Sequence, residues 1–284
     1  MQKNKIEGVV VLYQPDISVV GNIKSYIDGL EHLYIIDNSG ETDLSIINGL
    51  SAISKCVYIK NQTNQGIANA LNQGAKLAIA NGADWLLTMD QDSKFEPGDI
   101  LRLIEFAIQQ DDEFTGIVSP FHQTNVSVKP ATHDDVVLTT MTSGNLISLF
   151  AYRQINGFDE RYFIDAVDWD YCLRLNMHNF KVLRLNTVHL SHGLGNATKH
   201  QSPAGYQITA LNYNEIRRYY ITRNKLMFIF KYWRHYPNFC YNVFLSMFRD
   251  LRHVLLYEKH KMIKLRFMLK GWLHFITKKT GKLQ

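Results

Sequence analysis

Cysteine is scarce in this 284-residue chain, and the three present, Cys56, Cys172 and Cys240, are odd in number and never form a CxxC pair. That usage argues against a disulfide framework or a zinc ribbon and fits a reducing, cytoplasmic compartment. Proline is also sparse, at six, and no Pro/Gly/Ser-rich linker, low-complexity tract or internal repeat breaks the sequence. No uninterrupted apolar run reaches about 18 residues, so no transmembrane helix is expected. The opening residues MQKNKIE are polar, and the short apolar stretch behind them lacks a cleavage-type site, so no signal peptide is expected. What remains is an ordinary globular composition, 46% apolar and 20% charged. It is long enough for one large domain, or for one domain with an appendage.

Charge is unevenly spread. From Glu215 to the end there are 16 Lys/Arg against three acids, a net +13, whereas residues 1–214 carry 15 against 23, a net −8. An acidic body with a basic, aromatic tail needs two separate explanations.

The first two thirds alternate strand-like and helix-like segments. Ile6–Tyr13 is an apolar run closed by Gln14-Pro15-Asp16, Leu33–Asp37 ends in Asn38-Ser39-Gly40, and Cys56–Lys60 is a third strand. Helical spacing follows from Gly66 to Asn81, then a fourth strand over Trp85–Met89 and a helix from about Pro97 to Gln109. Such alternation predicts an α/β sandwich with a largely parallel sheet, whose ligands sit at the carboxyl ends of the strands. After Val118 the pieces shorten, and beyond Asn214 everything reads as helix. There Phe244, Met247, Phe248, Leu251, Val254 and Leu255 share one face at 3.6-residue spacing.

Four stretches hold chemistry-bearing groups. Asp90 and Asp92 close the buried run WLLTM. Two carboxylates so close repel one another and resist desolvation. A divalent cation linking them to a nucleotide diphosphate would cancel that charge, and a solvated strand-end turn accounts for them equally well. In NQTNQGIANALNQG, Asn64 and Gly66 stand where a helix begins, as caps or as donors to a ligand. In GFDERYFIDAVDWDYCLR five acids alternate with aromatics, which suits a pocket wall holding a general base. Asp168 and Asp170 are equally placed to cap the helix that follows. His189 and His192, in VHLSHGLGNA, are structural histidines or a third metal ligand.

In order, these stretches resemble the family 2 glycosyltransferases of the GT-A fold, and within them the bacterial rhamnosyltransferase-like group, across roughly residues 6–225. VVVLY resembles the first strand, IIDNSG the base-and-ribose turn, NQGIANALNQG the N-x-G-x-A-x-A-x-N-x-G segment and MDQDS the D-x-D motif. TSGNLIS with GFDERYFID resembles the acceptor-side region, and VDWDYCLRL the block carrying the catalytic base. SHGLG and RRYYITRN resemble the H-x-x-G and Y-Y-x-x-R-N elements. Val167 stands where the family has Glu, and Asp168 holds the second place of that pair.

The resemblance implies a metal-dependent, inverting glycosyltransferase. Asp168 would be the general base, with Asp165 as second choice. Asp92, His192 and Asp90 would hold Mg2+ or Mn2+. Leu12, Tyr13, Asp37, Asn38, Asn64, Gly66, Asp90, Gln91 and Arg223 would meet the donor nucleotide, with Arg217 and Arg218 as further phosphate contacts. Gly144, Asn145, Trp169 and Asp170 would line the acceptor side. The implied donor is a nucleotide-sugar, dTDP-L-rhamnose ahead of a UDP-sugar. The implied acceptor is a saccharide or polyprenyl-linked saccharide in cell-surface polysaccharide synthesis.

The expected layout is a catalytic domain over 1–214, with its nucleotide-sugar half at about 1–118 and its acceptor half at about 119–214. A helical basic extension follows over 215–284. That extension suits an anionic membrane surface at the inner face of the cell membrane, or packing on the core or on a second subunit in a homodimer. Two rivals are a haloacid-dehalogenase-like phosphatase using Asp90 and Asp92, and a nucleic-acid-binding protein using the tail. The acidic body has no place in the second, so no nucleic-acid partner is expected.

Overall fold

A computed structural model describes residues 4–110, 113–123, 134–192, 198–201, 207–210 and 212–283, with backbone alone at 192, 198–201 and 207–210. The elements run β1 (Ile6–Leu12), α1 (Ser18–Lys24), β2 (Leu33–Asp37), α2 (Leu44–Ser51), β3 (Cys56–Lys60), α3 (Ile67–Ala80) and β4 (Trp85–Asp90). Next come β5 (Ser93–Phe95), α4 (Asp99–Gln109), β6 (Thr115–Gln123), β7 (Asp135–Val136), β8 (Asn145–Ser148), α5 (Leu149–Gln154), α6 (Val167–Met177) and β9 (Lys181–His192). The chain continues through β10 (Thr198–Gln201), β11 (Gln207–Ala210), α7 (Glu215–Tyr232), α8 (Pro237–Leu256) and α9 (Lys261–Ile276). It divides into two compact units, Met1–Glu160 with Val167–Gly193, and Arg161–Ala166 with Leu194–Gln284.

The first unit is built on one sheet, ordered β3-β2-β1-β4-β8-β6-β9-β5, with β7 also paired to β9. The strands β3, β2, β1 and β4 are mutually parallel. The near-continuous apolar runs of β1, β2 and β4 follow from burial on both faces: Val10, Leu12, Leu33, Ile35, Leu87 and Met89 are core residues, whereas β3 at the sheet edge is only partly buried. Parallel pairing needs a crossover between neighbours, and the helices α1, α2 and α3 supply them. Beyond β4 the sheet is mixed, because β8 runs antiparallel to both β4 and β6. Helix α3 lies close on β1: a Cβ added at Gly74 would fall 2.3 Å from Val9 Cγ2.

Register brings the carboxyl ends of these strands to one edge. Leu12 pairs with Asp37, Asp37 with Lys60, and Val11 with Asp90. Two elements that the sequence reading did not anticipate extend this edge. The short β5 follows the D-x-D directly and pairs antiparallel with the twelve-residue β9.

The second unit contains α7, α8, α9 and the antiparallel hairpin β10–β11, together with Arg161–Ala166. Among the described residues no helix is long and apolar enough to cross a membrane. The single apolar face expected on α8 is split. Val254 is buried, whereas Phe244, Phe248, Leu251 and Leu255 face solvent.

Candidate active site

The edge of the parallel strands is tied together by side-chain amides. Gln91 accepts from the Tyr13 N–H at 2.8 Å and donates to the Tyr13 carbonyl at 3.2 Å, so its amide clamps the end of β1 to the D-x-D turn. Tyr13 itself is half exposed, with its ring available to a ligand. Asp37 is fully buried and accepts from the Ser39 N–H at 2.8 Å, from Tyr58 Oη at 2.5 Å and from Thr42 Oγ1. Burial alone would raise its pKa, but these donors prevail and hold the carboxyl below its ordinary 3.8. Asn38 is buried and accepts from Asn61 Nδ2 at 2.8 Å while donating to the Gly66 carbonyl at 3.2 Å. Asn64 accepts from the Gly66 N–H at 2.8 Å, and Gly66 at φ +87° has the backbone that lets α3 begin there.

The D-x-D turn is held on three sides. The Asp90 N–H donates to Ser143 Oγ at 3.0 Å, Asn22 Nδ2 donates to the Gln91 carbonyl at 2.9 Å, and Ser93 pairs with His192. Asp90 is half-buried and Asp92 is exposed. Register thus brings the backbone of His192 to the strand beside Asp92, although the two lie 100 residues apart in sequence. The His192 side chain and Gly193–Gly195 of the SHGLG stretch lie outside the described residues. Among the described residues no group of three His, Cys, Asp or Glu side chains is arranged to hold a metal. A pair of carboxylates beside an imidazole-bearing strand is nonetheless a donor set that suits Mg2+ or Mn2+.

Asp168 is half-buried in the first turn of α6, where its Oδ1 accepts from the Trp169 N–H at 2.9 Å. With Thr88, Thr140, Thr142, Asn145 and Tyr171 it lines a recess of about 200 Å³, counted out to open solvent. Asn145 and Tyr171 are buried, and neither Asn145 Oδ1 nor Tyr171 Oη has a hydrogen-bond partner among the described residues. Gly144, at φ +81°, donates to the Thr88 carbonyl at 2.7 Å and turns the chain into β8. Cys172, also on this wall, has its thiol pushed up to about 12 by burial and is no nucleophile at neutral pH.

The structure alters several expectations. Asp170 is fully buried and bound to Arg174 at 2.8 Å, so it braces α6 and does not face an acceptor. Arg223, in the second unit, is fully buried too. Its guanidinium donates to Asn224 Oδ1 (2.9 Å), Tyr219 Oη (3.2 Å) and the carbonyls of Gly281 (2.8 Å) and Arg161 (3.2 Å), which leaves no face for a phosphate. Arg218 is likewise buried against Glu258. Asp165 belongs to this second unit, paired with Arg217 at 3.2 Å. Burial raises its pKa, with Arg217 opposing.

The RRYYITRN stretch builds the 161–166 loop. Phe163, Asp165 and Ala166 all adopt positive φ, a strained run for residues other than glycine. Asn224 Nδ2 holds that loop through the carbonyls of Tyr162 and Ile164, both at 2.6 Å, and Tyr220 stacks on Phe163 at 4.9 Å.

Asn72 carries a structural role that sequence reasoning did not assign. Its amide donates to the Phe158 carbonyl and to Glu160, and accepts from Tyr152 Oη and the Phe158 N–H. Its place as the second Asn of the N-x-G-x-A-x-A-x-N-x-G segment was the signal in the sequence, but a motif position does not say which distant loop the amide will hold.

Known proteins resemble this chain in sequence and in fold. The chain is 25% identical over 246 residues to the dTDP-rhamnosyl transferase RfbF of Shigella flexneri, covering 80% of this chain and 81% of that protein. Among solved structures, residues 1–349 of S. aureus TarS in complex with UDP-GlcNAc superpose with a TM-score of 0.61 at 12% identity, covering 97% of this chain and 81% of that one. GalNAc-T7, crystallised with UDP, GalNAc and Mn2+, gives 0.63 at 11% identity, covering 98% of this chain. This chain spans 57% of the GalNAc-T7 chain. These neighbours share the GT-A fold. The model of glycosyl transferase family 2 matches residues 18–166, just over half of the sequence, and the chain belongs to that family.

Proposed function

We propose that this chain transfers L-rhamnose from dTDP-L-rhamnose, with inversion at C1, to a hydroxyl of a saccharide or polyprenyl-linked saccharide in cell-surface polysaccharide synthesis. The carrying observation is the shared edge at which Tyr13, Asp37-Asn38 and Asp90-Gln91-Asp92 end three parallel strands in register. Similarity to RfbF supports the dTDP-rhamnose donor. A UDP-sugar is the second choice, on the likeness to TarS and GalNAc-T7.

In this reading Asp168 takes the proton of the acceptor hydroxyl as its oxygen attacks C1. The C1–O bond to the diphosphate breaks, its electron pair leaves with the nucleoside diphosphate, and the proton passes to solvent. Leu12, Tyr13, Asn38, Asn64 and Gly66 shape the base and ribose site, and Asp37 orders its turn through the donors it already holds. Asn145 Oδ1, unpartnered on the recess wall, is suited to receive an acceptor hydroxyl or a water, with Trp169 beside Asp168. Asp92, with Asp90 and His192, would hold Mg2+ or Mn2+, which when bound offsets the charge of the departing diphosphate. Residues 1–214 act as the catalytic body and 215–284 as its extension. A polyprenyl-linked acceptor would be met by a cytoplasmic enzyme at the inner face of the cell membrane.

A nucleotide-release assay over dTDP- and UDP-sugars, with Mg2+ or Mn2+ and with or without lipid-linked acceptor, tests the reading. Release of dTDP from dTDP-L-rhamnose is expected, falling about 100-fold or more in Asp168→Asn and strongly in Asp92→Ala. No nucleoside diphosphate from any donor would sink the proposal. Full turnover in Asp168→Asn would move the base to Asp165.

A further inference from the structure

We infer that α8 and α9 lie flat on an anionic lipid surface, through two solvent-facing apolar stripes set in a strongly basic surface. On α8, Tyr241, Phe244, Phe248, Leu251 and Leu255 recur at alternating steps of three and four and are 37–57% exposed. The other face of the same helix, with Cys240, Val243 and Val254, is buried. On α9 the spacing repeats in Met262, Leu269, Trp272 and Ile276, all exposed, while Gly271 is buried. Each helix therefore spends one face on its own unit and leaves a second apolar face that no described residue covers, more than scattered surface residues explain.

Charge decides the occupant. Residues 216–284 contain two acids, Asp250 and Glu258. Glu258 is fully buried between Arg218 and Lys264, and Asp250 is paired with Lys225 at 2.5 Å. Both negative charges are thus matched by cations of the same unit. Ten of the Lys and Arg are exposed, among them Arg249 and Arg252 on α8 and Lys261 and Arg266 on α9. A second copy seated on this face would bring two basic rims together and repel. An anionic bilayer surface satisfies both features at once. The stripes enter the headgroup–acyl boundary, the cations meet the headgroups, and Trp272 and Tyr241 have the amphipathic rings that sit there. Because no described helix can cross a bilayer, the attachment lies in the plane of the surface. Its purpose, reaching a lipid-linked acceptor, rests on the proposed function, whereas the binding itself does not.

The test sediments the full chain with phosphatidylcholine vesicles, with and without phosphatidylglycerol, at low and high salt. Binding to the anionic vesicles is expected to be at least about tenfold tighter than to neutral ones and to weaken with salt. Phe248→Glu with Leu269→Glu, both on the exposed stripes, is expected to lose about tenfold or more while keeping the melting temperature and donor turnover with a soluble acceptor. Equal binding to both compositions, undiminished binding by the double variant, or a solution dimer that the double variant dissociates would each overturn the inference. Anionic-vesicle binding that persists when no donor is turned over would uphold the docking and sink only the transferase reading.

Discussion

Asp37 is a buried carboxylate whose proton the folded chain holds less tightly than an unfolded chain does, because Ser39, Thr42 and Tyr58 all donate to its ionised form. The stability this supplies is complete above the ordinary value of 3.8 and is lost as the pH falls through the lower folded value. Asp37→Asn, which sets an amide N–H against one of those donors, should cost about 1–3 kcal/mol at neutral pH. The gap to the parent should close below pH 3.8, as measured by denaturant midpoints across the acid range. Arg223 makes the opposite point about role. As a buried fork bound to four oxygens, it should lose about 2–3 kcal/mol on Arg223→Lys, with the donor KM of the folded enzyme unchanged. A raised KM at full stability would return it to the donor site. Asp90 and Asp92 were legible in sequence because charge behind a buried run is conspicuous. Arg223 and Asp170 were read as ligand-facing, whereas the structure buries both against partners of their own fold, because an ionisable residue in a motif looks the same whether it faces a ligand or a carbonyl.

Elements were legible where one period dominated. The strands over Leu33–Asp37 and Cys56–Lys60 end where their apolar runs end. The long β9 went unread because a register irregularity between its pairs with Pro120 and Phe121 of β6 breaks its alternation. Two glycines show how context sets the sign of one substitution. Gly21 in α1 has open space around a new Cβ, so Gly21→Ala should stabilise by about 0.5–1 kcal/mol through backbone entropy. At Gly74 the same methyl would meet the buried Val9 at 2.3 Å, so Gly74→Ala should destabilise by about 1–3 kcal/mol. Thermal unfolding of the two variants side by side checks both signs.

At the scale of the whole molecule, charge is segregated between a net-acidic first 214 residues and a basic remainder, and within the second unit between interior and surface. Glu258 is the pivot of the interior set. Glu258→Gln leaves Arg218 and Lys264 buried without their carboxylate and should cost about 3–5 kcal/mol in chemical denaturation. Replacing all three by leucines should recover much of that loss, because the desolvation penalty leaves with the charges.

The sequence by itself determined the α/β alternation, the strand ends that carry Tyr13, Asp37 and Asp90, and the strongly basic final helices. Each depends on local periodicity or on residue counts, which no folding event alters. Tertiary structure alone decided that His192 pairs beside the D-x-D turn, that Asn72 and Asn224 fasten distant loops, and that Asp250 and Glu258 are matched by cations of their own unit. Those outcomes depend on register and burial, which join residues dozens of positions apart and leave no periodic trace in the chain.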